Sequence, residues 1–188
     1  MKIIDIQEKT VPISSEIKNA YISFAKMDCS VVAIKTDVKI DGKNVVGYGF
    51  HSNGRYSVSE LLKKRFLPRI KEAEEKELLN VEGNNFSPEK IWKVLMQNEK
   101  PGGHGERSTA VGTIDMAVWD IVSKIEKVPL YEYLANKYGN GKFTNKIFIY
   151  AAGGYYYPGK DIQMLQDEMK SYLDLGISTV KMKIGGAP

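Results

Sequence analysis

The order of residue patterns predicts an α+β chain. Apolar and β-branched runs fill residues 1–50, helical spacings fill 57–140, and a strand–helix–strand pattern occupies 146–186. Strands gathered at one end with helices after them mark that class. The final segment adds one βαβ unit, whose strands must run parallel.

Each element has its own signal. "KIIDIQEKTVPI" alternates Ile4 and Ile6 with polar residues, and "SVVAIKTDVKI" and "NVVGYGFHS" are β-branched runs. "DGKN" (41–44) between the last two suits a hairpin turn, so a three-stranded meander follows. The polar stretch 14–28 then becomes a long connection of the kind that often serves as a functional lid.

Ser57 and Glu60 spell a capping box ahead of Leu61, and Pro68 should kink or break the helix they begin. In "SPEKIWKVLMQ", Ser87 is the N-cap and Pro88 the first helical residue. Val111, Ile114, Val118, Ile121 and Ile125 recur at spacings of three and four, one apolar face of a long helix over 108–127. "VPLYEYLANKYG" adds a short helix between Pro129 and Gly139. "KIFIYAAGG" (146–154) reads as a strand. Residues 161–176 read as a helix with Ile162, Leu165, Met169 and Tyr172 on one face, closed by Gly176. A second strand follows.

Bulk properties narrow the classes. The 188 residues carry 27 Lys and Arg against 23 Asp and Glu, a formal charge of +4. That excess is dispersed, with "LLKKRF" (61–66) the one tight basic run, so a nucleic-acid binder is not expected. The single Cys29 allows no internal disulfide and reads as a small buried hydrophobe. The first residues lack an apolar signal core, and no run of about 18 apolar residues predicts a membrane span. Cytoplasm is the default compartment.

The last strand, "STVKMKIGG" (178–186), places Lys181 and Lys183 on one face and Val180, Met182 and Ile184 on the other. An open sheet covered by helices would offer the two ammonium groups a poor environment. In a β/α barrel that face is the interior, and its C-terminal end is the active site. Two close ammonium groups lower each other's proton affinity, and a neutral amine is a competent general base. The alternative is an edge strand whose lysines stand in water and discourage strand pairing.

Residues 100–135, "KPGGHGERSTAVGTIDMAVWDIVSKIEKVPLYEYLA", resemble the last long helix of the capping domain in the enolase superfamily, mandelate racemase/muconate-lactonising branch. The K-x-K of Lys181 and Lys183 resembles that family's second barrel strand. "KPGGHGERS", "YAAGGYYYPGK" (150–160) and "VKMKIGGAP" most resemble its D-tartrate dehydratase group. The resemblance implies an enolase-like capping domain over 1–140, with a meander and helices. The first βαβ unit of an incomplete (β/α) barrel follows over 141–188. It also implies a small carboxylate substrate, a homo-oligomer, and Mg²⁺ stabilising the enediolate formed on α-proton removal. Lys183 would be the base. Lys181 would depress its pKa and help bind the carboxylate, and tartrate would yield oxaloacetate. Asn53, in a capping loop, would bond a substrate hydroxyl or carboxylate. Lys100 would pair with a distal carboxylate, and Tyr156 or Tyr157 would offer a phenol.

The family's metal ligands lie on the third to fifth barrel strands and its general-acid histidine on a later one. Neither set has a counterpart in this sequence, which is therefore expected to be a fragment, inactive alone and without a metal site. Residues 142–188 are expected to be poorly ordered or held by another chain, with Phe148, Tyr150 and Val180 uncovered. Other K-x-K chemistries, cycloisomerisation or epimerisation, and a non-catalytic truncated remnant remain as alternatives. Asp115 and Asp120 do not share a helix face and read as packing contacts. "HGE" (104–106) lacks the paired cysteines of a zinc deaminase, and His104 reads as a residue stabilising the turn near Lys100.

Overall fold

The computed structural model describes residues 1–51, 57–102 and 105–186. The chain divides into two units, Met1–Val11 with Asp28–Phe143, and Pro12–Met27 with Thr144–Pro188.

In the first unit, β1 (Ile3–Pro12), β2 (Asp28–Ile40) and β3 (Lys43–Phe50) form a sheet in the order β1-β2-β3. β2 and β3 are antiparallel, pairing Val31 with Phe50 and Ile40 with Lys43, with a bulge between Lys35 and Lys39. Asp41 (φ 50°) and Gly42 (φ 75°) make the turn between them. Two successive positive φ values give the hairpin turn whose twist matches its strands, so the expected meander stands.

α1 (Val58–Leu61), a π-helical turn at Leu62–Phe66 and α2 (Leu67–Glu72) follow one another directly. Pro68 neither breaks nor ends this run. It sits in the first turn of α2, where its missing N–H matters least, and the wider π turn ahead of it accommodates the ring. The expected capping box is absent: the Ser57 side chain makes no cap hydrogen bond, and Glu60 pairs instead with Lys64 one turn on. Ser57 has φ −108° and ψ 2°, not the extended backbone that aims a cap side chain at the helix.

α3 (Glu75–Leu78) leads to α4 (Pro88–Leu95), where the Ser87 hydroxyl accepts the Lys90 N–H as expected. The long helix is α5 (Glu106–Glu126), and α6 is Leu130–Tyr138. α5 buries Val111, Ile114, Val118 and Ile121, while Ile125 is only partly covered. It lies so close to β3 that a Cβ at Gly47 or Gly49 would overlap the Ala117 or Thr113 carbonyl. Val32, Ile34, Leu62, Phe66 and Ile114, all fully buried, belong to one apolar cluster. Each contributes roughly 1.5–3 kcal/mol by leaving water.

In the second unit, β4 (Ala151–Ala152) and β5 (Val180–Lys181) pair in parallel across α7 (Ile162–Asp174). The expected βαβ unit is present. The strand foreseen over 146–154 is narrower, because its backbone pairs only with β5 and only near Ala151–Gly153. Asp161 caps α7, its carboxylate accepting the Met164 N–H at 2.8 Å. Leu165, Met169 and Tyr172 are partly covered, but Ile162 is exposed. The polar stretch 14–28 is less open than its composition predicts. Lys18 and Tyr156 exchange backbone hydrogen bonds at 2.8 and 2.9 Å, and Phe24 is buried.

Candidate active site around the lysine pair

β5 ends at Lys181, and Lys183 lies two residues past it, so the strand foreseen over 178–186 is shorter than expected and only the first lysine of the pair stands on it. Lys181 is exposed and Lys183 half-buried. The neighbouring Lys183 amine, as a hydrogen-bonding and like-charged group, pulls the Lys181 amine below the usual lysine range, with a smaller contribution from desolvation. Tyr150 and Tyr155 act on Lys181 in the opposite sense.

The Lys183 ammonium lies 4.8 Å from the centroid of the Tyr155 ring, a cation–π contact. Phe24 meets the same ring edge-on, at 5.8 Å and 84°. Two side chains hold the Tyr155 backbone. Lys160 donates to the Tyr155 carbonyl at 3.0 Å and pairs with Glu168, and Glu168 accepts the Gly154 N–H at 3.0 Å and the Tyr172 hydroxyl at 2.9 Å. The Lys160 side chain is 6% exposed, so its charge is viable only because it is paired. Gly153 and Gly154 allow this approach. A Cβ at Gly153 would collide with Glu168, and one at Gly154 (φ 67°) would lie 2.6 Å from the Met182 Cβ.

Of the other candidates, Tyr156 accepts the Gly186 N–H at 3.2 Å through its phenol oxygen. Tyr157 lies under the Lys160 ammonium at 4.8 Å. Lys100 belongs to the first unit, where its side chain is exposed and its carbonyl accepts from Arg107 at 2.9 Å. Beside it, the Glu99 side chain is almost wholly covered and held by Arg65, Arg69 and Arg107. Burial alone would raise the Glu99 pKa, but the arginines outweigh it and keep the carboxylate below its usual range. Asn53 and His104 lie outside the described residues.

The remaining polar residues read as structural. His51 is buried and its ring accepts the Ser30 N–H at 2.9 Å. Cys29 is half-buried, not fully buried, and its thiol donates to the His51 carbonyl. Asp120 accepts from the Tyr48 N–H at 2.9 Å, a packing contact of the kind foreseen. Among the described residues, no three His, Cys, Asp or Glu side chains gather as a metal site. The chain's own described residues therefore do not fit the Mg²⁺ that the family resemblance implies.

Sequence reasoning missed Tyr155, Phe24 and the Lys160–Glu168 pair. Strand parity could not single out Tyr155, because the Gly153–Gly154 turn interrupts the period of two before the three tyrosines.

Comparison with known proteins agrees with this architecture. No protein-family model matches the chain. It is 29% identical over 140 residues to an arabinonate dehydratase of Saccharolobus solfataricus, covering 74% of this chain and 32% of that protein. Other curated relatives, matched over about half of the chain, are D-galactonate dehydratase family members and D-mannonate dehydratases. Among solved structures, N-succinyl Arg/Lys racemase from Bacillus cereus superposes with a TM-score of 0.69 at 22% identity, over 100% of this chain and 45% of that one. An enolase from Bradyrhizobium complexed with magnesium and mandelic acid gives 0.69 at 19%, over 99% and 46%. The chain thus spans a third or less of those curated relatives and just under half of those structures. The fold is the enolase-type capping domain followed by the opening of a barrel, and the sequence is similar to sugar-acid dehydratases. Among the described residues, no helix is long and apolar enough to cross a membrane.

Proposed function

We propose that the chain is the capping domain (1–140) and first barrel strands (141–188) of an enolase-superfamily dehydratase acting on a sugar acid or hydroxy-diacid. The observation that carries this reading is the pair of lysines at and just past the end of β5, with Lys181 below the usual lysine range because of Lys183. Repulsion between the two charges favours a pair that holds one proton. Such a pair offers one neutral amine as base and one ammonium for a carboxylate.

Lys183 takes the α-proton, and the C–H electron pair moves into the carboxylate to form an enediolate. Lys181 lies against that carboxylate and offsets its growing charge. The enediolate electrons then expel the β-hydroxyl, which leaves as water once a general acid protonates it. The resulting enol tautomerises to a 2-keto acid: oxaloacetate from tartrate, a 2-keto-3-deoxy acid from an aldonate. Asn53, Lys100, Tyr156 and Tyr157 are assigned to substrate binding. The Tyr156 oxygen uses a lone pair on Gly186, which leaves its proton to donate. The relatives' names favour an aldonate over tartrate.

The test is turnover of arabinonate, D-galactonate, D-mannonate and D-tartrate with Mg²⁺ present, by this chain and by any longer gene product containing it. Lys183→Ala should lower kcat roughly 10²–10⁴-fold, while Lys181→Ala should also raise KM. A larger kcat loss in Lys181→Ala would reverse the two roles, a reading favoured by the lowered pKa lying on Lys181. Deuterium uptake at the α-carbon without loss of water would indicate epimerisation, the chemistry named for several structural neighbours. Unchanged turnover in both variants would end the proposal.

A further inference from the structure

The lysine pair is not symmetric in its surroundings, and the asymmetry leads back to a single ring. Tyr155 is clamped by backbone and packed by side chain. Its carbonyl accepts from Lys160, whose side chain is nearly enclosed, its neighbour Gly154 donates to Glu168, and Phe24 from the Pro12–Met27 segment braces the ring edge-on. The Lys183 ammonium rests 4.8 Å from the centroid of that ring. Lys183 is half-buried where Lys181 is exposed.

We propose that Tyr155 is a positioning residue, which with Phe24 behind it holds the Lys183 amine in one place and leaves Lys181 the mobile member of the pair. The ring face attracts a cation without accepting its protons as a carboxylate would. Lys183 is therefore located without an ion pair, and the ring favours the ammonium that forms when its amine accepts the α-proton. A carboxylate in the same place would make a salt bridge, hold the ammonium charged and quench a base. The Lys160–Glu168 pair supplies the rigidity: it fixes the Gly154–Tyr155 backbone through one hydrogen bond to each residue, so the ring cannot follow the lysine if Lys183 swings away. The segment carrying Phe24 is joined to the next residue, Tyr156, by paired backbone hydrogen bonds, and so it bears on the same turn. This inference rests on Lys183 being the base, but its test does not depend on turnover.

The experiment acetylates the chain with limiting acetic anhydride and reads each lysine by peptide mass spectrometry. In the unsubstituted chain Lys183 should react more slowly than Lys181. Tyr155→Leu, which removes the ring face, should raise the Lys183-to-Lys181 ratio roughly two- to fivefold, and Tyr155→Phe should preserve it. Lys160, with its side chain nearly enclosed, reports folding in every sample, since it stays slow only while its pair with Glu168 is intact. An unchanged ratio in Tyr155→Leu with Lys160 still slow overturns the proposal. Should Tyr155→Leu fail to fold, the unsubstituted chain and Tyr155→Phe decide by NMR. The Lys183 ε-methylene protons should lie upfield of those of Lys181, and coincident shifts overturn the assignment. Loss of the dehydratase reading through an inert Lys183→Ala would leave these measurements standing, so the two failures are distinguishable.

Discussion

The two units stabilise themselves by different means. The first has a true interior, where Val32, Ile34, Val58, Leu62, Phe66 and Ile114 are wholly removed from water. Among the described residues of the second, only Phe24, Gly153 and Gly154 are buried, and Ile147, Phe148 and Ile184 stand about three-quarters exposed. Its order comes instead from backbone pairing, an ion pair and stacked rings. The contrast teaches that a capping fold can be complete in itself, whereas a pair of parallel strands cannot: parallel sheets need both faces covered, and among the described residues the helix packed on β5 is α7.

The sharpest way to break this comparison is to truncate one phenylalanine in each unit. Phe66→Ala should cost about 3–5 kcal/mol, and Phe148→Ala less than about 0.5 kcal/mol, in urea unfolding followed by tryptophan fluorescence. Similar losses at both sites would mean that the second unit has an interior of its own. Next in size is the contact of β3 with α5. Gly49→Ala drives a methyl into the Thr113 carbonyl, a backbone atom that cannot swing aside, and should cost about 3 kcal/mol. A variant as stable as the parent would show that strand and helix do not approach this closely.

The polar clamp of the second unit gives a smaller and more local effect. Glu168→Gln leaves Lys160 without its counter-charge and should cost about 1–3 kcal/mol. Hydrogen exchange should locate the loss at the Gly154 amide and spare β2. Spread of the effect into β2 would merge two cooperative units into one.

The smallest effect is a pH dependence in the first unit. Burial works against the Glu89 charge, but Lys137, Tyr138 and Ser87 donate to the carboxylate and hold its pKa at about 2. A depressed carboxylate stabilises the fold above its unfolded pKa of about 4.5, and that contribution fades as pH falls toward about 2. Glu89 is nearly half exposed, so solvent screening keeps the contribution under about 1 kcal/mol. Glu89→Gln should therefore be less stable than the parent at pH 6 and should converge with it near pH 2. A constant gap across that range would assign the effect to lost hydrogen bonds and not to charge.

Much of this was legible in the residues, and the exceptions share a cause. The hairpin at Asp41–Gly42, the Ser87 cap and the buried face of α5 were readable because each depends on neighbours within a few positions. The Ser57 cap failed because its backbone, at φ −108° and ψ 2°, does not aim the hydroxyl at the first turn of α1, which the spacing of Ser57 and Glu60 does not report. In the candidate site, the lysine pair was legible from strand alternation alone. Its environment was not: Tyr156 and Tyr157 were the expected phenols, yet Tyr155 is the ring under Lys183.

The sequence by itself therefore determined the α+β order, the parallel crossing of β4 and β5, and a pair of lysines two residues apart where the last strand ends. These follow from periodicity, turn chemistry and composition, which are properties of contiguous residues. The tertiary structure alone decided that Phe24 braces Tyr155, that Lys160 and Glu168 clamp the turn, and that Lys183 is the lysine set against a ring. The reason is physical: such contacts join segments far apart in the chain, and which of several similar side chains meets a partner depends on how closely two backbones approach, here on the room left by Gly153 and Gly154.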